Sequence, residues 1–174
     1  MAVEKKKIFE IEIPAIRQHI QAISFTKAEL EGKLVKMDMT RMLKGKNLEA
    51  NFMIKKKDDN LIGEFFSLNL LLSYIRRMMR KNISWIEDSF SCKSKDEKLR
   101  IKPFLISRKK IHRSVKAALR NKARELIIEY TKEKDSQEVF SAIVFGSLQR
   151  ELAGKLKKVY PLALCEIRVC KIEK

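Results

Sequence analysis

Apolar and polar positions change period several times along this chain, and each change predicts an element. Ile8-Phe-Glu-Ile-Glu-Ile13 alternates, which predicts a strand with one wet face, and Pro14 ends or redirects it. Residues 15–23 are ambiguous between a helical turn and a loop. Beyond Gly32, residues 33–39 alternate again as a second strand; Thr40 is a candidate cap for a turn through Leu43, and Lys44-Gly-Lys46 predicts a tight basic turn. Residues 48–55 and 61–68 read as a third and fourth strand, joined by the hairpin chemistry of Lys57-Asp-Asp-Asn60. Asn69 is the candidate N-cap of a helix over 70–81, with Leu71, Ile75, Met78 and Met79 inward. Residues 83–92 and 99–107 form a second expected hairpin, in which Trp85 and Phe90 read as packing residues.

The period then lengthens. From about Lys110 to Tyr130, the positions Ile111, Val115, Ala118, Leu119, Leu126, Ile127 and Tyr130 recur at helical spacing. Asp135 or Ser136 caps a further helix through about Phe145, and Gly146 stops it. Residues 147–159 make a last helix with Leu148, Leu152, Leu156 and Val159 in register. Tyr160-Pro161 breaks that helix, and residues 162–172 close the chain as a strand. Hairpin-spaced strands without regular strand–helix alternation predict an α+β fold: a mostly antiparallel β-barrel or strongly curved sheet with several helices packed around it. Gly63, inside a strand, predicts a bulge or a close approach. At 174 residues and 45% hydrophobic, the expectation is one domain with a real core, and residues 1–7 a short basic tail.

Charge changes the picture most. Lys and Arg number 39 against 22 acids, a formal net charge of +17, and the pI is near 9.9. Such a chain repels itself and concentrates at phosphate polymers or anionic membranes. The membrane is the weaker option, because the most apolar window, 61–75, is broken by Glu64, Asn69 and Ser73 and is too short to span a bilayer. Residues 1–7 hold no apolar signal segment, so an intracellular, cytoplasmic location is expected.

Residues 98–124 carry eleven Lys and Arg and no acid. At about 100° per residue, Lys109, Arg113, Lys116, Arg120 and Arg124 fall within about 40° of one line, opposite the apolar positions. Lys122 projects near the apolar face, where its stem packs and its ammonium snorkels out. Like charges at such spacing repel, so a one-sign stripe costs stability unless a polyanion neutralises it. The expected RNA-binding residues are Arg100, Lys102, Arg108, Lys109, Lys110, Arg113, Lys116, Arg120 and Arg124. A second cluster, Arg76, Arg77, Arg80 and Lys81, ends the expected helix over 70–81, where cations complement the helix dipole before they meet any phosphate.

Chemistry is sparse by contrast. The glycines are isolated at 32, 45, 63, 146 and 154, so no phosphate-cradling loop exists, and no Gly-x-Ser-x-Gly, His-Glu-x-x-His or Cys-x-x-Cys occurs. Cys165 and Cys170, five apart in a strand-like run, are expected on opposite faces and unable to share a metal; with Cys92 they read as buried or half-buried thiols in a reducing compartment. No metal, cofactor or small-molecule substrate is implied, and no catalytic residue is assigned. His112 suits a general acid for RNA cleavage, but no positioned base accompanies it. An RNA-processing enzyme and a factor that binds RNA only transiently therefore stand as alternatives to a structural RNA binder. Aromatic residues are 7% of the chain and do not interleave with the basic run, which argues against a stacking platform for single strands. What remains is a shaped basic surface that meets folded RNA through phosphates and 2′-hydroxyls.

The second half carries a resemblance. Lys158-Val-Tyr-Pro-Leu162, followed by Glu166-Ile-Arg168 and Lys171, resembles the ending of the archaeal and eukaryotic small-subunit ribosomal protein family S-three-Ae, also called S-one-e. Gly146 opening a helix upstream, Arg108-Lys-Lys-Ile-His-Arg-Ser114 leading into the basic helix, and Gly32-Lys33 opening an early strand fit the same layout. Ile8-Phe9 stands where that family typically carries a tryptophan–tyrosine pair, and the long eukaryotic tails have no counterpart, which favours the archaeal type. The resemblance implies a β-barrel core with packed helices. It also implies a structural, non-enzymatic, ribosome-bound constituent of the small subunit, on the platform near the rRNA 3′ end and the mRNA exit. Its implied partners are rRNA, neighbouring platform proteins and mRNA.

Overall fold

The computed structural model describes residues 6–43, 45–57 and 60–173; most of the expected basic tail, Lys44, and Asp58 and Asp59 of the first hairpin turn lie outside them. The fold is α+β, with nine strands in one sheet and four α-helices. The strands are β1 (Lys7–Ile13), β2 (Gln18–Ser24), β3 (Leu34–Asp38), β4 (Leu48–Lys57), β5 (Asn60–Leu70), β6 (Trp85–Glu87), β7 (Phe90–Lys93), β8 (Lys98–Ser107) and β9 (Leu162–Glu173). The helices are α1 (Leu72–Met78), α2 (Arg113–Lys132), α3 (Ser136–Phe145) and α4 (Ser147–Leu156).

The sheet is branched and does not close into the expected barrel. Its main path runs β2-β1-β5-β9-β8-β6, with β3-β4 attached to β5 and β7 attached to β8. Two long strands act as trunks. β5 pairs along its whole length with β4, while β1 pairs with it at Leu61 and Ile62 and β9 at residues 67–69. β8 likewise pairs with β9 throughout, and β7 and β6 divide the partners at its two ends. The β1–β5 contact is parallel; the other ladders are antiparallel.

Between the stretches paired with β1 and with β9, the edge of β5 at Phe65 that faces away from β4 has no strand neighbour, and a side chain supplies what the ladder lacks. The Phe65 amide donates to Gln137 Oε1 at 2.9 Å, and Gln137 Nε2 donates to the Phe65 carbonyl at 3.0 Å. This double bond docks α3 on the sheet, with Phe140 stacked on Phe65, which in turn packs on Phe52 at centroid distances of 5.6 and 4.8 Å. Gly63 is a close approach: a Cβ there would stand 3.1 Å from Ile13 Cγ1. Gly146, at φ 76°, ends α3 in the left-handed conformation that glycine adopts without steric cost.

Several local expectations change. The segment read as turn or loop after Pro14 is β2, whose inward face of Gln18, Ile20, Ala22 and Ser24 is only weakly apolar. Asn69 pairs with Val169 inside the sheet instead of capping a helix, and α1 starts after Leu71 and stops at Met78. Arg76 and Arg77 therefore lie in its last turn, whereas Arg80 and Lys81 lie beyond it. Asp38, not Thr40, organises the next turn, accepting from the Thr40 amide at 2.8 Å and from its hydroxyl. Met79 and Val159, expected inside, are exposed. In α2 the buried stripe is Leu119, Ala123, Ile127 and Thr131; Ala118 is exposed, and Lys122 reaches Glu125 at 3.0 Å instead of lying along the core.

Cys165 and Cys170 are both buried on the same face. Register shifts by one residue between Lys102 and Pro103, so β9 carries an extra residue that reverses its alternation. Burial pushes the Cys165 thiol up to about 12, raises Cys170 well above the ordinary thiol value and raises Cys92 as well, so all three are poor nucleophiles.

Candidate nucleic-acid interface

The two basic clusters, some thirty residues apart in sequence, are fastened together by a pair of buried serines. Ser84 and Ser107 are 5% and 0% exposed. The Ser84 amide donates to Ser107 Oγ at 3.1 Å, and the Ser107 amide donates to the Ser84 carbonyl at 2.9 Å. The Ser107 hydroxyl lies within donating distance of the Ser84 carbonyl, at 2.9 Å, and of the Lys109 carbonyl, at 2.6 Å. Ser84 Oγ accepts from the Ile111 amide at 3.3 Å. Buried backbone groups need such partners, since leaving one unmade costs about 1–3 kcal/mol. The clip thus fixes the path of Arg108, Lys109 and Lys110 beside the segment that follows Arg80 and Lys81. Asn82 makes the intervening bend at φ 63°, a left-handed conformation that asparagine tolerates better than most residues.

The helix that follows begins with its positive end uncompensated. His112 is the N-cap of α2 and makes no side-chain capping bond, and no acid lies in the first turn. Arg113 and Lys116 add charge where the backbone dipole is already positive, which is unfavourable in isolation and favourable towards an anion. Arg108, Lys109, Lys110, Arg113 and Arg120 are exposed and Lys116 is half-buried. Among the described residues none of these six side chains has a hydrogen bond or ion pair. Arg76, Arg80 and Lys81 are in the same state. The exposed His112 imidazole has no side-chain partner among them that would orient it as an acid or base.

Three other expected RNA-binding residues, Arg77, Arg100 and Arg124, are committed within the protein. Arg124 clamps Asp88 with two bonds of 2.9 and 2.8 Å and lies 5.5 Å from the centre of the Phe90 ring. Burial pushes the Asp88 carboxyl up, but the Arg124 and Ser89 hydrogen bonds and the charges of Arg124 and Arg120 outweigh it and leave it below the ordinary value. Arg100 bonds Glu173 and Ser89 Oγ. Ser91 donates to Glu173 at 2.7 Å, and together the Ser91 and Arg100 hydrogen bonds bring the Glu173 carboxyl down to about 2. Arg77 donates to Asn47 Oδ1 at 2.6 Å and covers the Tyr74 ring. Lys102 is half-buried in a shallow depression beside Arg168, whose guanidinium reaches Glu87 at 3.2 Å.

Trp85 is the residue that the sequence misjudged most. Expected in the core, it is 53% exposed on β6, at one end of the sheet path, while Phe90 is buried as expected. Sequence offers one signal for this: Trp85 and Ile86 are consecutive in a strand, so only one of them faces the core, and Ile86 does.

Comparison with known proteins gives this construction its family. The model of the ribosomal S3Ae family matches residues 2–174, and the chain belongs to that family. It is 28% identical over 173 residues to the small ribosomal subunit protein eS1 of Nanoarchaeum equitans, covering 94% of this chain and 87% of that one. It is 30% identical over 123 residues to the eS1 protein of Saccharolobus islandicus and 31% to that of Saccharolobus solfataricus. Those two matches cover 70% of this chain, which spans 59% of the length of these Saccharolobus relatives. No helix among the described residues is long and apolar enough to cross a membrane, and no group of three metal-binding side chains occurs among them.

Proposed function

We propose that this chain is a structural, non-enzymatic constituent of the small ribosomal subunit, acting as a single domain that binds folded rRNA. The observation that carries the reading is the cluster of unpaired cations at the clip and the start of α2, in a chain whose relatives are named small ribosomal subunit proteins. A protein that kept these charges uncompensated in its working state would bear their repulsion continuously; rRNA phosphates remove it. Arg108, Lys109, Lys110, Arg113, Lys116 and Arg120 are the primary contacts, with Arg76, Arg80 and Lys81 extending them. Arg77, Arg100 and Arg124 bear on RNA second, after their internal partners, and half-buried Lys102 lies beside them in this order. In the finer reading, the protein sits in cytoplasmic ribosomes on the subunit platform, near the rRNA 3′ end and the mRNA exit, beside other platform proteins.

The test is sedimentation of a native lysate through sucrose gradients at low and high salt, with the protein quantified in each fraction. Near-stoichiometric recovery with the small subunit, persisting through a high-salt wash, is the expected result. Recovery at the top of the gradient, or release at moderate salt, overturns an integral role.

A further inference from the structure

From the exposed tryptophan between two cationic loops, we infer that Trp85 is a stacking platform for an unpaired nucleobase of the bound RNA. The inference rests on the RNA-binding reading above and adds a single-stranded site to it.

Three observations meet at this residue. Trp85 is 53% exposed, and among the described residues no aromatic ring or cation covers its faces. A tryptophan usually buries its large apolar surface, so an open indole on a short edge strand is a surface that lacks its partner. Its position is also rigid. It follows Ser84, which is fastened to Ser107 and Ile111, and it pairs with Ile106 across the ladder. Finally, its surroundings are cationic. Lys81 precedes it by four residues, and Arg108 lies two residues beyond its cross-strand partner Ile106. The acid nearest in the strand, Glu87, is already paired with Arg168.

An apolar π-face beside unpaired guanidinium and ammonium groups suits a ligand that is aromatic and anionic at once. An unpaired nucleotide has that chemistry: its base stacks on the indole while its phosphates reach the loops. A base inside a duplex keeps its faces stacked on its neighbours and cannot use the site. A neutral protein surface would cover the indole but leave the cations unanswered.

The chain contains one tryptophan, so intrinsic emission reports this site alone. The experiment titrates the full chain with an oligouridine strand and with a blunt RNA duplex of equal length at matched ionic strength. It follows tryptophan emission and affinity, and compares Trp85→Leu and Trp85→Phe. Oligouridine is expected to quench the emission and the duplex to leave it nearly unchanged. Trp85→Leu should lose about 5- to 100-fold in affinity for the single strand, the range expected for one stacked base, with duplex affinity unaltered and Trp85→Phe recovering most of the loss. Circular dichroism and the unchanged duplex binding guard against misfolding. Single-strand binding without quenching, or with full affinity in Trp85→Leu, overturns the platform and leaves the RNA-binding reading intact. Failure to bind either RNA at low salt overturns both.

Discussion

Two sets of cations give this molecule its charge, and they are held in opposite ways. Those on the β8–β9 ribbon and the middle of α2, namely Arg100, Arg124 and Arg168, each close on a carboxylate contributed by another part of the chain. Those at the clip and the first turns of α2, from Arg108 to Arg120, make no hydrogen bond or ion pair with a carboxylate among the described residues, and only the charge of Arg120 is felt at one, Asp88. By sequence all of them but Arg168 belong to one basic stretch, 98–124. The difference teaches that charge density alone does not mark an interface; what marks it is charge that the fold brings together and leaves unanswered. Arg124 lies on the same helix line as Arg113 and Arg120, yet it helps fasten α2 to the turn between β6 and β7.

The largest effect should come from exchanging one set for the other. Changing Arg113, Lys116 and Arg120 together to Gln should lower the log–log salt slope of RNA binding by about 2–3 and weaken affinity on the order of 100-fold at moderate salt. Its melting temperature should stay near that of the parent, because none of the three makes a hydrogen bond or ion pair among the described residues. The matched triple at Arg100, Arg124 and Arg168 should do the reverse, lowering the melting temperature with a slope change below about 1. Equal slope losses in the two variants would erase the distinction.

A smaller effect is expected from the clip, which carries no charge. Ser107→Ala removes the acceptor of the buried Ser84 amide, a loss of about 1–3 kcal/mol by urea unfolding. RNA affinity should fall several-fold as well, since the two cationic loops are no longer held in one path. Unchanged affinity in a destabilised variant would show that the loops find RNA independently. Smaller again is Asp88→Asn, which costs about 1 kcal/mol and releases Arg124. A released cation should act like the free set and raise the salt slope by up to about 1; a slope that stays flat would mean that Arg124 faces away from the RNA.

Much of the fold was readable wherever one period dominated. β1, β3 and β4 alternate cleanly, α3 and α4 repeat every three or four residues, and Gly146 punctuates them. What failed depended on distant partners. β2 is a strand because β1 offers it an edge, not because its own pattern insists on it. Asn69 looked like a cap, but Val169, a hundred residues away, recruits it into the sheet. The site was half readable for the same reason. The sequence found every cation named above except Arg168, but pairing is a tertiary property, and Asp88 and Glu173 choose their arginines across long separations. Trp85 was misjudged because hydrophobicity predicts burial only when the residue's face of the strand is covered, and β6 ends the sheet path.

The smallest effect is a pH dependence confined to the paired set. Glu173 has a folded-state value of about 2 against an ordinary 4.5, held down first by the Ser91 hydroxyl and then by Arg100. A depressed carboxylate stabilises the fold fully above its unfolded value and loses that contribution as pH falls from about 4.5 towards 2. Glu173→Gln cannot ionise, so it should be less stable than the parent at pH 6, and the gap should narrow steadily on acidification through that window. Urea midpoints at pH 6, 4.5 and 3 read this directly. Arg113 and Lys116 have no carboxylate partner among the described residues, so a variant with both changed to Gln should track the parent across the same range. If the Glu173→Gln gap were constant with pH, the carboxylate would be contributing shape and neutral hydrogen bonds rather than charge. The paired set would then differ from the free set in packing alone.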